Sequence, residues 1–409
     1  MDRPVTRRSV QVPLTLHEPE ERARGGSGSV VAKMYRGPSM TAANPISPLH
    51  RAIALPGRRK VTLVAELGRG SMGVAYRAVL ETASFVRRPV VVKLYDLASS
   101  DEPESTLATL GRAVQRAAYV IHPNAVQTYE LATIDGRNAV VLTEHVEGTT
   151  LARFMASRTQ MGRRIPLDLA LFVTTEIAEA LGAARSASTP EGAHAGLAHL
   201  DVNAQQVLLS NHGEVKLSDF GLAQISRWGS SVRTRDALFR RASSTAPEMA
   251  RGRAGDTRSD VFSLGIVMRE MLIGPRFPAD ITEAQAVAHS RAGHVPPTFV
   301  ELQIHAEVRA ILQRALEVDP LRRYPHATAM AYDLRRVGLS MGVGDGRMFL
   351  RSLLAETAAF AQVDADTDER PSLPDATPSD VPGDRESGLV LKAPRILSPK
   401  RTKSGGEPG

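Results

Sequence analysis

The chain has 409 residues, 42% apolar and 23% charged, enough to bury one large core or two modest ones. No run approaches the roughly 18 apolar residues of a membrane helix, and the start MDRPVTRRSVQVPLTL lacks the apolar stretch of a signal peptide. A cytoplasmic address is therefore the expectation; cysteine is absent, which excludes disulfides and thiolate metal sites and is compatible with a reducing compartment. The formal charge of +7 sits entirely in residues 1–60, with eleven Lys or Arg against four Asp or Glu; lacking aromatic interleaving or a regular basic face, it argues for a solvated arm, with no specific nucleic-acid partner and no membrane span.

Residues 1–60 mix Gly, Ser, Pro and Arg (ARGGSGSV, GPSM, ANPISP), which predicts a mostly disordered basic arm. Residues 61–146 read as short strands: KVTLVAEL, GVAYRAVLE, RPVVVKLYD, AVQTYELAT and, after a turn at Asp135 and Gly136, NAVVLTEHV. One helical stretch, from about Glu104 to Val120, interrupts this small antiparallel β-rich lobe. Over 147–340 long helical patterns dominate (LDLALFVTTEIAEALGAARSA, SDVFSLGIVMREML, AEVRAILQRALEV, ATAMAYDLRRV), broken by one hairpin at QVLLSNHGEVKLSD. Residues 341–362 read as a trailing helix and 363–409 as a disordered tail. The expected class is α+β and bilobal, and ligands favour the cleft between two such units.

Within AELGRGSMGVAYRAVL, Gly68, Gly70 and Gly73 have G-x-G-x-x-G spacing, and strand formers follow them. A dinucleotide loop needs a helix there, so the pattern favours a β-loop-β flap, although glycines alone also mark ordinary turns. Lys93 ends the apolar run VVVK: by itself it is an edge residue meeting solvent, behind a glycine flap a point charge for phosphate. EHVEG at 144–148 suits a connection between lobes. Asp201 precedes the later hairpin and Asp219 follows it, so two acids can face one pocket, one orienting a hydroxyl and one holding a metal.

In this order the motifs resemble the protein kinase family, and most the bacterial Ser/Thr kinases of eukaryotic type. They are Gly68, Gly70 and Gly73, then Lys93, His199-Leu200-Asp201, Asp219-Phe220-Gly221, Ala246-Pro247-Glu248, SDVFSLG from Ser259 and DPLRRYP from Asp319, spanning about 61–340. The resemblance implies a flap from Leu67 to Ala75 over the phosphates of ATP, with Ala75, Val91 and Leu208 around the adenine. Glu144 and Val146 would offer their backbone to its edge, behind a gatekeeper at Thr143. Lys93 would hold the α/β-phosphates, Asp219 and Gln206 would hold Mg²⁺, with Mn²⁺ as an alternative, and Asp201 would accept the proton of the substrate hydroxyl. Glu248 and Arg323 would form a buried structural ion pair, and Asp260 would brace the catalytic loop. A protein substrate or signalling partner follows from the same resemblance.

The pattern departs from the family at four places. The helix glutamate that pairs with the strand lysine, nine residues before His122-Pro123, is Ala113; Glu104 lies a further nine residues back, roughly 13 Å along a helix and half a turn out of phase. The arginine of His-Arg-Asp is Leu200, so control by an activation-loop phosphate in its usual form is not expected. The metal-binding asparagine is Gln206. Arg241 stands where many relatives carry threonine, in a loop that also holds Arg233, Arg235 and Arg240. The expected function is a Ser/Thr protein kinase transferring the ATP γ-phosphate to protein hydroxyls; the alternative is a pseudokinase acting as a nucleotide-binding or scaffolding module. A small-molecule phosphotransferase fits less well, because TAPEMARG and SDVFSLG match the peptide-binding side of protein kinases.

Overall fold

The computed structural model describes residues 52–70, 73–100, 102–134, 137–222, 242–278, 280–295 and 304–368. The expectations for the arm up to residue 51, the turn at Asp135 and Gly136, the loop arginines and the tail beyond 368 lie outside these residues. The described small lobe is a six-stranded antiparallel sheet of β1 (Ala52–Leu55), β2 (Arg59–Gly70), β3 (Gly73–Glu81), β4 (Arg87–Asp96), β5 (Thr128–Ile134) and β6 (Asn138–Glu144), in the order β1-β2-β3-β4-β6-β5. Period-2 alternation sorts its side chains. Tyr76, Ala78 and Leu80 of β3, Val90 and Val92 of β4, and Val140 and Leu142 of β6 fill one core. Ala139 and Val141 of β6 face the other way and meet Leu110 and Val114 of α1 (Pro103–Ala118). In α1, Thr106, Leu110, Val114 and Ala117 are buried at helical spacing. β1 begins inside the segment read as an arm; a four-residue strand between prolines carries too little periodicity to be seen in sequence, but Leu55 is buried in the sheet's core.

The large lobe contains β7 (Gly148–Thr150), α2 (Leu151–Gln160), α3 (Leu167–Ser186), β8 (Val207–Ser210), β9 (Val215–Leu217), α4 (Pro247–Ala250), α5 (Thr257–Ile273), α6 (Glu283–Ala292), α7 (Ala306–Ala315), α8 (Ala327–Ser340) and α9 (Gly346–Asp368). α5 starts at a capping box between Asp256 and Ser259 and is buried around most of its circumference, as expected of the central helix of a lobe. β7, β8 and β9 form a separate three-stranded antiparallel sheet.

One compact unit extends to Ala361, and residues 362–409 form a second, described only as the end of α9. The segment read as a trailing helix is part of the large lobe's core: Leu350, Leu353 and Leu354 of α9 are buried with α3 and α8. Gly346 stands where a Cβ would lie 2.2 Å from the Phe172 ring, and Arg158 of α2 reaches Glu356 at 2.6 Å.

Candidate active site

Strand register builds the small-lobe side. Ala75 of β3 pairs with Gly68 of β2 and with Lys93 of β4, Lys93 pairs with Val141 of β6, and Val91 pairs with the buried Thr143. Because Val90 and Val92 point into the core, Val91 and Lys93 take the opposite face. The flap glycines do different work. A Cβ on Gly73 would lie 1.9 Å from Leu94 O, so β4 itself demands glycine there. A Cβ on Gly68 would meet nothing within 4 Å, leaving open space above the strand, beside the exposed Leu67. Gly70 pairs with Gly73 at the turn of the hairpin.

The link between lobes is braced from behind. Glu144 N–H donates to Gln127 O at 2.8 Å, and its carboxylate accepts from Gln127 N–H at 3.1 Å and pairs with Lys216 of β9 at 2.8 Å. Val146, within this link, and Leu208 of β8 are half-buried.

The catalytic-loop side is organised by buried polar groups. Asp260, near the start of α5, accepts His199 N–H at 2.7 Å and Leu200 N–H at 2.6 Å, which holds Leu200 in the left-handed region at φ +63°. The fully buried His199 ring accepts Asp201 N–H on Nδ1 at 3.2 Å, so its proton sits on Nε2 and is donated to Ser218 O at 2.6 Å. The same ring packs edge-on against Phe220, with centroids 4.9 Å apart. Burial pulls the His199 imidazole down to about 4, which keeps it neutral at neutral pH, and pushes the Asp260 carboxyl up to about 7 against the two amides that stabilise its charge. The backbone at Asp201 is thus tied through one imidazole to Ser218, the residue before Asp219.

Of two further participants here, Asn203 stands where many Ser/Thr kinases carry lysine, and Ser218 carries no motif of its own in the sequence. Ser218 hydroxyl donates to Gln206 Oε1 at 2.8 Å, and Asn203 Nδ2 donates to Asp201 O at 2.9 Å and to its carboxylate at 3.4 Å. Ser218 directly precedes Asp219, and that adjacency was the available signal.

Lys93 and Asp219 meet in a direct ion pair, both side chains about one-fifth exposed. Asp219 adopts φ +67° and Gly221 φ +74°. Burial pulls the Lys93 ammonium down to about 8, which still leaves it mostly charged at neutral pH, paired with the Asp219 carboxylate. Ala113 offers no side chain to Lys93. Its carbonyl instead lies against Gly221, 3.2 Å from where a Cβ would stand, while Leu222 is buried among Leu110 and Val114. Glu104 is exposed in the first turn of α1.

Away from the cleft, Arg323 grips both Glu248 oxygens, at 2.9 and 2.8 Å, while Ser259 hydroxyl donates to the same carboxylate at 2.6 Å. Burial alone would raise the Glu248 carboxyl, but the hydrogen bonds from Arg323 and Ser259 outweigh it and hold it below its usual value. The guanidinium also stacks over Phe262 at 4.9 Å.

The donors at the cleft suit a hard cation: Asp219 and Gln206 present oxygen, and among the described residues no cluster of three His, Cys, Asp or Glu forms a self-sufficient metal cage. A cation there needs further oxygens, from water or from a bound phosphate group.

A β-rich small lobe and a helical large lobe, with a glycine flap and lysine on one side of the cleft and a histidine-braced acid pair on the other, define a bilobal protein kinase fold. Residues 61–333 match the family described as protein tyrosine and serine/threonine kinase, and the chain belongs to that family. Membership implies ATP and a divalent metal ion. The chain is 31% identical over 324 residues to the serine/threonine-protein kinase PknB of Mycolicibacterium smegmatis, covering 78% of this chain and 47% of that protein. It is 32% identical over 257 residues to PknB of Mycobacterium tuberculosis, covering 62% and 39%. It therefore spans less than half the length of these relatives. In fold it is similar to the crystal structure of the Mycobacterium tuberculosis PknI kinase domain, with a TM-score of 0.52 at 22% identity, covering 69% of this chain and 96% of that one. No helix among the described residues is long and apolar enough to cross a membrane.

Proposed function

We propose that this chain is a protein serine/threonine kinase that moves the γ-phosphate of ATP to a protein hydroxyl. The observation that carries the reading is the meeting of Lys93 with Asp219, together with the imidazole of His199 that ties Asp219's neighbours to Asp201.

In this reading ATP lies beneath the flap over Gly68, its adenine between Ala75, Val91 and Leu208 and its edge along Glu144 to Val146. Lys93 holds the α/β-phosphates as a point charge. Asp219 and Gln206 hold Mg²⁺, which neutralises charge on the phosphates when bound. Asp201 orients the substrate hydroxyl and takes its proton as the oxygen attacks the γ-phosphorus and the bond to the bridging oxygen breaks, leaving ADP. Asn203 steers the Asp201 carboxylate through its amide. Glu248, Arg323, Asp260 and His199 build the platform and touch no reacting atom.

Purified protein with ATP and Mg²⁺ is expected to label itself or a generic basic protein, and Asp219→Ala and Asp201→Asn are expected to abolish the label. ATP binding by wild type without any transfer, or label unchanged in Asp219→Ala, overturns the reading.

A further inference from the structure

With alanine at 113, the cleft lysine has no carboxylate with which to hold α1 in place. Three residues further along, Arg116 reaches out of the small lobe. Its Nε donates to Ala195 O at 3.3 Å and its Nη2 to Gly196 O.

The strap it grips is itself fixed. Ala195 N–H donates to Ala187 O at 2.9 Å, Leu197 N–H to Ala184 O at 3.0 Å and Thr189 N–H to Ala193 O at 2.8 Å, while Ser188 and His194 form an antiparallel bridge. Gly196 admits no side chain, because a Cβ would lie 2.0 Å from Arg185 O and 2.5 Å from the His194 ring. This strap runs from the end of α3 straight into His199-Leu200-Asp201. Leu197 also stands against Gly221, 3.4 Å from where its Cβ would be, beside the Ala113 carbonyl at 3.2 Å. The end of α1, the strap and the turn after Asp219 therefore share one small neighbourhood.

We infer that Arg116 is a positioning residue: by holding the Ala195 and Gly196 carbonyls it sets α1 against Gly221 and the catalytic loop, in place of the missing ion pair between helix and lysine. The chemistry suits the task. A guanidinium is a fork that reaches two carbonyls at once, its charge strengthens both hydrogen bonds, and a cation in the last turn of a helix is favoured by the helix dipole. A lysine offers one compact head and no fork.

The role in turnover rests on the kinase reading; the placement of α1 does not. Amide hydrogen exchange on the full chain without nucleotide is expected to quicken about tenfold in the second half of α1 in Arg116→Ala, with Arg116→Lys intermediate and α5 unchanged. In label transfer, Arg116→Ala is expected to lower kcat about tenfold, with KM for ATP within about twofold, and Ala113→Glu in the same chain to restore most of the loss. Unchanged exchange in α1, or quickening shared equally by α5, overturns the inference, as does a double variant no more active than Arg116→Ala. A wild type that transfers no phosphate overturns the kinase reading instead, and the exchange result still decides Arg116.

Discussion

On the large-lobe side of the cleft, one carboxylate takes two backbone N–H groups, one imidazole joins the loop of Asp201 to the residue before Asp219, and an aromatic ring closes over it. On the small-lobe side, Lys93 is placed by strand register and then by a single partner among the described residues, Asp219, which belongs to the other lobe. The first arrangement is over-determined: the left-handed backbone at Leu200 and Asp219, at a cost of order 1–3 kcal/mol each, persists because several buried bonds enforce it. The second has lost the carboxylate that would fix lysine and helix together, so the helix needs another tether and, in the proposed reading, Asp219 would serve both lysine and metal. Where the polar partners are buried and redundant, geometry survives substitution of any family residue that is not among them; where placement hangs on one contact, a single substitution reroutes it.

The largest test attacks the over-determined side at its base. Arg323→Ala leaves the buried Glu248 carboxylate without its guanidinium and removes the cation over Phe262, and breaking such a pair costs about 3–5 kcal/mol. Chemical or thermal unfolding is expected to show this loss. A change below about 1 kcal/mol would mean that the large-lobe platform is not held as described.

This asymmetry also marks what the sequence made legible. The strands from β2 to β6, α1, α3 and α5 stand out because their alternation or helical periodicity is strong, and Lys93, Asp201 and Asp219 because motif order brings them to one cleft. β1 was hidden because four residues carry no period; α9 was legible as a trailing helix, but the burial of Leu350, Leu353 and Leu354 in the large lobe's core depends on tertiary packing that periodicity does not show. The partner of Lys93 was illegible for another reason: once Ala113 is seen, sequence says only what is missing, while the contact that forms joins residues 126 apart. Arg116 escaped notice likewise, since a charged residue near a helix end reads as a solvated one until the carbonyls it meets, 79 and 80 residues away, are in place.

A second test, of intermediate size, uses pH. The folded His199 sits near 4 against an unfolded value near 6.5, so the stability it contributes is fully present above 6.5 and is lost as pH falls from 6.5 towards 4. Asp260, raised to about 7, acts in the opposite sense: its contribution is present below the ordinary carboxylate value near 3.8 and is lost as pH rises through 7. A single unfolding curve mixes the two, so the comparison is with His199→Gln, which lacks the titrating ring. Between pH 7 and 4.5 wild type is expected to lose about 2–3 kcal/mol more than the variant. Parallel losses would show that the imidazole is not buried as a neutral bridge.

The smallest effect bears on the lysine side, and it separates the single-contact account from a fully braced one. Burial has brought Lys93 to about 8, so kcat/KM for ATP, which reports groups of the free enzyme, is expected to fall as pH rises through about 8, because the uncharged amine no longer attracts phosphate. Ala113→Glu places a carboxylate at the α1 position whose backbone carbonyl lies against Gly221. If it reaches Lys93, it stabilises the ammonium, moves the fall to higher pH and releases the Asp219 carboxylate for the metal. Transfer at neutral pH is then expected to rise several-fold, about threefold to tenfold, within the range of one partly buried ion pair. A pH profile that stays near 8 with no gain in rate would show that register and Asp219 alone already place the lysine as well as the chemistry requires.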